Sequence, residues 1–313
     1  MTLANILSLG ETALELGLTC SITVLSLFLS YLMLNVCDLS TDGCFTLGAS
    51  VGAAVAISGH PFLSIPASML AGAASGLITA VLQTMMGIDS LLAGIIVNTA
   101  LYSVNIAVMG GASLLNMNKT ETVFTMMKAM LEGTVIEDHF RLVVVIVFVI
   151  LVSVFEIFFL RTKLGLAIRA TGDNPEMVRS SSINPARTTI IGLCISNAFT
   201  GLSGCLLAQS QKAVNIDIGS GMLTVALASL LIGNAFMGKG SIGKRIAGMI
   251  LGSFIFRLVY TLALRMNMPA FMLKLVSSVI VIIAIWVPYF KTRFPDLKRR
   301  FGHKFGHGGK KDA

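Results

Sequence analysis

RTKLGLAIRATGDNPEMVRSSSINPAR, residues 161–187, is the longest polar stretch in the middle of a chain that is otherwise close to oily. It sets Arg161, Lys163, Arg169, Arg179 and Arg187 against Asp173 and Glu176, between two apolar runs long enough to cross a bilayer. The architecture follows from which side of a membrane this stretch occupies and how many runs lie before and after it.

The composition answers the first part. Hydrophobic residues make up 55% of the 313 and charged ones 12%, about half the share of a soluble domain. Mean hydropathy is +0.86. The chain is read as an integral membrane protein in contact with lipid. Its net charge of +8 is concentrated at one end, because residues 291–313 hold eight Lys or Arg against Asp296 and Asp312. A basic cytoplasmic tail accounts for that balance, and no nucleic acid is needed to explain it. The amino terminus shows no basic region followed by a small-residue cleavage site, so the first apolar segment is expected to stay in the membrane.

A span-length window finds about nine candidate segments, near 13–35, 44–59, 62–86, 88–110, 141–160, 188–211, 219–237, 243–264 and 270–290. They form one transmembrane domain over 1–290, followed by the tail at 291–313. Basic residues gather in the 161–187 loop, in the 238–245 turn and in the tail, which places all three in the cytoplasm. The acidic loop at 111–140 then lies outside, and so does the amino terminus. Four segments precede the fifth and four follow it, so an odd central span leaves the second quartet inverted relative to the first. Each quartet has a long span, an acid, and then a short Gly-rich span: DLSTDGCFTLGASVGAAVA at 38–56 and DIGSGMLTVALASLLIG at 217–233. Short, glycine-interrupted spans in matching positions of two halves point to a substrate path. Close helix packing through small residues is the other reading of the same glycines. The fold class is therefore an all-α polytopic membrane protein with an inverted repeat and short broken helices.

Within the central loop, Asn174-Pro175 is a helix start, since Asn caps well and proline at the first helical position gives up only a donor that had no partner. Asp173 and Glu176 stand where the positive end of that helix favours acids. The helix is expected to reach about Ser182, with Asn184-Pro185 ending it and Gly165 and Gly172 allowing turns on the approach. A short, strongly capped helix lying against the bilayer suits a groove on a soluble partner.

Two near-motifs fail. DLSTDG at 38–43 opens like a calcium loop, but Ala49 stands where a bidentate Glu is required. GNAFMGKGS at 233–241 has P-loop spacing, but Gly240 stands where Ser or Thr must hold magnesium. Cys20, Cys37, Cys44, Cys194 and Cys205 sit in or beside apolar runs with no ligand spacing, and His303 and His307 lie in a Gly-flanked tail. No catalytic group, metal or cofactor is expected on this chain.

The segment RTKLGLAIRATGDNPEMVRSSSIN resembles the cytoplasmic coupling segment of permease subunits from bacterial ABC importers of branched-chain amino acids, ribose and nucleosides. LGLTCSITVLSLFLSYLMLNVCDLSTDGCFTLGASVGA resembles their amino-terminal block, and ALASLLIGNAFMGKGSIGKRIAGMILGS their carboxy-terminal one, with Asn234 in place of a usual glycine. LLAGIIVNTALYSVNIAVMG at 91–110 is similar to permeases for tryptophan and tyrosine uptake within that family.

The resemblance implies a permease in the bacterial cell membrane, paired with a second copy, with an ATPase dimer below and an extracellular solute-binding protein above. It also implies that Gly172, Asp173, Asn174, Pro175, Glu176, Met177 and Arg179 couple to the ATPase. Asp38, Asp42, Asn98 and Arg257 are candidates for the translocation path. Arg257 lies deep in the eighth segment, where an unpaired cation costs about 2.5–3.5 kcal/mol or more. Glu15 or Asp42 could pair with it, or it could attract a solute carboxylate. Glu156, one turn from Arg161, is expected to snorkel or pair, and Asn98, Asn105 and Asn197 could line a path or bond helix to helix. A secondary transporter would share the inverted repeat and broken spans, without needing a capped docking helix.

Overall fold

The computed structural model describes residues 3–130, 133, 139–238, 240–265, 272, 275–283 and 286. The ninth expected segment is described in part, with 275–283 helical, whereas Lys239, His303, His307 and the basic tail fall outside the described residues. The eight remaining segments all appear as helices, with ends within three residues of those read from the sequence except that the first begins at Leu3, ten residues before the expected start. Six are long and apolar enough to cross a membrane: Gly10–Met33, Ser64–Thr84, Ser90–Val108, Phe140–Phe159, Pro185–Gln211 and Ile242–Ala263. Thr41–Ile57 and Met222–Met237 are shorter apolar helices.

In chain order, α1 (Leu3–Leu27) runs on as a π-helical stretch over Phe28–Met33. Next come α2 (Thr41–Ile57), α3 (Ser64–Thr84), α4 (Ser90–Val108), β1 (Leu114–Asn116) and α5 (Val123–Met130). α6 (Phe140–Phe159), α7 (Lys163–Asp173), α8 (Pro175–Ser180) and α9 (Pro185–Gln211) follow. β2 (Ala213–Asn215), α10 (Met222–Met237) and α11 (Ile242–Arg265) complete the described chain. β1 and β2 pair antiparallel, Leu115 opposite Val214, and tie the far ends of α4 and α9 together. That ribbon and the α7–α8 segment stand at opposite ends of the bundle.

Glycine sets how closely the helices approach. A Cβ on Gly48 of α2 would collide with the Gly201 backbone of α9, one on Gly72 of α3 with the Asn197 carbonyl, and one on Gly204 of α9 with the Phe45 carbonyl. Small residues let helix backbones touch, and dispersion then replaces a hydrophobic drive that lipid cannot supply. Hydroxyls lock the same seam: Ser26 of α1 bonds Ser196 and Thr200 of α9, and Ser203 donates to the Thr19 carbonyl.

The two short helices both begin inside the bundle and run in opposite directions. α2 rises parallel to α9, with Gly48 beside Gly201 and Gly52 beside Cys205, towards the ribbon end. α10 runs antiparallel to α11, with Gly233 beside Gly248 and Ser229 beside Gly252, towards the α7–α8 end. Their starts meet. The Asp42 carboxylate, in the first turn of α2, accepts from the amides of Gly221 (2.9 Å) and Leu223 (2.7 Å) at the start of α10.

Candidate functional site

Two features of this bundle can do something beyond holding it together, and the first is the α7–α8 segment. Asn174 ends α7 and caps α8, its side chain accepting from the amides of Glu176 and Met177 at 3.1 Å each, with Pro175 in the first turn. This is the local capping that the sequence called for. α8 ends at Ser180, and Ser182 turns with φ +63°.

Other details differ from expectation. Asn184-Pro185 does not end α8, which stops at Ser180 ahead of the left-handed Ser182; it starts α9, with Asn184 accepting from the Ala186 amide. Gly165 and Gly172 are not at turns. They lie within α7, where a Cβ would strike Phe159 and Leu160, or Met33 and Leu34. Asp173 is the last residue of α7, at that helix's negative end, as well as just ahead of α8.

α7 is wedged into the bundle. Ile168 is buried beside Gly192, and the Thr171 and Thr188 hydroxyls bond at 2.8 Å. α8 then stands proud, held by one buried side chain, Val178. Met177 is 53% exposed, and Glu176 and Arg179 lie 3.8 Å apart on the open surface. An exposed methionine flanked by a charge pair, on a short helix that follows directly from α7, itself packed on α9 and on the end of α1, is a surface that a partner can push on.

The second feature is a cavity of about 340 Å³ where the starts of α2 and α10 face α4. Its walls include Asp42, Thr46, Asn98, Tyr102, Asn105 and Asp217. Ligand sites commonly begin near this size. Asn98 Oδ1 accepts from the Gly43 amide at 2.7 Å, and Asn105 Nδ2 donates to the Gly43 carbonyl at 3.2 Å. Two side chains of α4 thus clamp one residue of α2 by both of its backbone polar groups.

Of the four path candidates, Asp42 and Asn98 line this cavity, and Asp38 and Arg257 do not. Asp38 is 1% exposed and accepts from the Ser40 amide (2.8 Å) and from Asn197 Nδ2 (2.7 Å), bracing the turn into α2. Arg257 turns to neither Glu15 nor Asp42. Its Nη2 donates to Cys20 Sγ at 2.9 Å, its guanidinium stands 5.4 Å from the Tyr260 ring centre, and its Nε has no partner among the described residues. Glu156 neither snorkels nor pairs. It lies on the inward stripe of α6 with Val145, Val149 and Val152, is fully buried, and neither of its oxygens has a partner among the described residues.

Sequence reading passed over Tyr102 and Thr99 in the cavity wall. The signal was there: Asn98, Tyr102 and Asn105 recur at helical spacing in an otherwise apolar span, a polar stripe on one face of α4. Asp217 was noticed only as the acid preceding a glycine-rich span.

A bundle of apolar helices, with two that break inside it around a polar cavity and a capped helix at one end, defines a membrane permease. Residues 11–285 match the family described as "Branched-chain amino acid transport system / permease component", and the chain belongs to that family. It is 32% identical to the tyrosine transport system permease protein of Clostridioides difficile, over 85% of this chain and 86% of that one. It is 24% identical to the probable branched-chain amino acid transport permease protein LivH of Methanocaldococcus jannaschii, over 72% and 73%. Over 41% of its length it is 29% identical to the xylose transport system permease protein XylH of Escherichia coli, covering 32% of that chain. No solved structure matches it.

Proposed function

We propose that this permease is the membrane subunit of an ATP-driven importer for an amino acid. α8 docks on a separate ATP-hydrolysing dimer, so that the end of the bundle carrying α7 and α8 faces the cytoplasm. A second copy completes the path, and a solute-binding protein delivers the solute at the ribbon end. The cavity between α2, α4 and α10 is a stretch of that path, lined by Asp42 and Asn98. Amino-acid cargo is supported by the tyrosine and branched-chain relatives.

One observation carries this reading: α8 presents Met177, Glu176 and Arg179 to the exterior on a side-chain cap, while α7 beneath it is locked to α1 and α9. A helix that served only as a connector would gain nothing from an exposed large apolar side chain at its tip. The paired short helices alone would suit a secondary transporter equally well.

The test is co-purification. Expressed with the ATP-binding subunit of its own transport system, the wild-type chain should retain that subunit through detergent extraction and stimulate its ATPase. Met177→Asp, a surface change, should weaken retention by about tenfold or more, as expected for losing an apolar anchor. Transport that continues without any ATP-binding subunit would instead establish the secondary transporter.

A further inference from the structure

The cavity's polar groups are unevenly distributed in kind, and the Gly43 backbone is the reason. An amide side chain offers one donor end and one acceptor end, and which end is free is usually ambiguous. Here the backbone decides. Gly43 N–H can only donate, so Asn98 must turn its oxygen to it; the Gly43 carbonyl can only accept, so Asn105 must turn its NH2 to it. Asn105 is therefore left with a carbonyl oxygen, and that atom is buried without a hydrogen-bond partner while the residue, 1% exposed, forms part of the cavity wall. An orphaned acceptor in such a place calls for a donor.

The rest of the wall points the same way. Asp217 is exposed to the cavity, its backbone held by the Asn215 side chain, and its carboxylate makes no hydrogen bond or ion pair among the described residues. Asp42, the other acid, is already engaged by the amides of Gly221 and Leu223. Tyr102 contributes an aromatic ring that is 53% exposed. None of the lining residues carries a positive charge. An anionic head group would meet two carboxylates and an acceptor, whereas an ammonium group has three donors, a charge for Asp217 and an aromatic face beside it.

We propose that Asn105, Asp217 and Tyr102 form an ammonium-binding corner of this cavity, so that the solute passing through is held by its amine. The proposal rests on the cavity being part of the path. Asn105 takes one N–H, Asp217 supplies the counter-charge, and Tyr102 packs against the cation. A solute's carboxylate would then point away from this corner, towards the amide hydrogens that Asn98 leaves unused.

The experiment uses the full chain in lipid nanodiscs, with Thr99→Cys as a reporter in the cavity wall and the wild-type chain as the background for its own cysteines. The labelling rate with a small polar thiol reagent is measured against three probes sharing one phenol body: tyramine, L-tyrosine and 3-(4-hydroxyphenyl)propionate. Tyramine and tyrosine should slow labelling by about threefold or more at concentrations where the propionate does not. Adding Asp217→Asn, an isosteric change at an exposed position, should raise the half-protecting tyramine concentration by about tenfold. Protection by the propionate equal to that by tyramine would overturn the ammonium corner and leave the cavity as a solute site. An unchanged half-protecting concentration with Asp217→Asn would remove Asp217 from it. Absence of protection by all three probes would overturn both this proposal and the path reading.

Discussion

The start of α8 and the starts of α2 and α10 solve the same problem with opposite means. Each helix begins where its first amides would be unpaired, and each uses side-chain oxygens to satisfy some of them. At α8 the cap is local: Asn174 accepts from amides two and three residues further on. At the centre of the bundle it is remote. Asn98 reaches the Gly43 amide from 55 residues away, and Asp42 reaches the Gly221 amide across 179. A local cap makes a helix that can form, fray and re-form independently. A remote cap makes two halves of a chain depend on each other.

The largest effect is therefore expected at Asp42. Asp42→Ala removes two acceptors and the charge lying at two helix starts, which should cost about 2–4 kcal/mol. Extracted protein should lose monodispersity and melt markedly lower, whereas Asp42→Asn, with one acceptor retained, should lose roughly half as much. Equal melting of the alanine variant and the wild type would mean that the starts of α2 and α10 are held by something other than this carboxylate.

An intermediate effect is expected at Asn98, which serves one amide instead of two. Asn98→Leu leaves the Gly43 N–H without its side-chain acceptor, at about 1–3 kcal/mol. Asn98→Asp restores an acceptor and should recover much of the loss. If leucine and aspartate melt alike, the clamp on Gly43 contributes nothing and packing alone seats α4 on α2.

The same contrast explains what could be read from the sequence. Asn174-Pro175 announced α8 because every atom of that cap lies within four residues. The eight apolar segments were legible because a bilayer demands length and hydropathy, which a window measures. α7 was missed because its two glycines read as turns. They are glycines because Leu160 and Leu34 lie against them, and those neighbours are known only after folding. Arg257 and Glu156 were each given an oppositely charged or solvated neighbour, the usual resort of a charge in a span. Arg257 instead finds a thiol and a ring, and Glu156 an inward stripe of valines. The acid preceding each short span was legible; that the first of them caps the second helix was not, since nothing local links Asp42 to Leu223.

The smallest effect on stability, and the sharpest test of the contrast, lies at Asn174. Asn174→Ala removes a cap worth about 1 kcal/mol from a helix that rests on the bundle through Val178 alone. Because α8 can open without disturbing α7, the loss should be confined to that helix, and the melting temperature of the whole chain should move by no more than about 2 °C. What should change is the population of intact α8, by roughly fivefold, and with it the ATPase stimulation measured with the ATP-binding subunit bound. Asn174→Asp, which caps as well and adds a favourable charge at the helix start, should restore that stimulation. A fall in melting temperature as large as that from Asp42→Ala would show that α8 is continuous with the bundle's cooperative core, and the distinction between local and remote caps would not hold. Normal stimulation with a melted α8 would leave the docking role without support, since the surface formed by Met177, Glu176 and Arg179 exists only while the helix does.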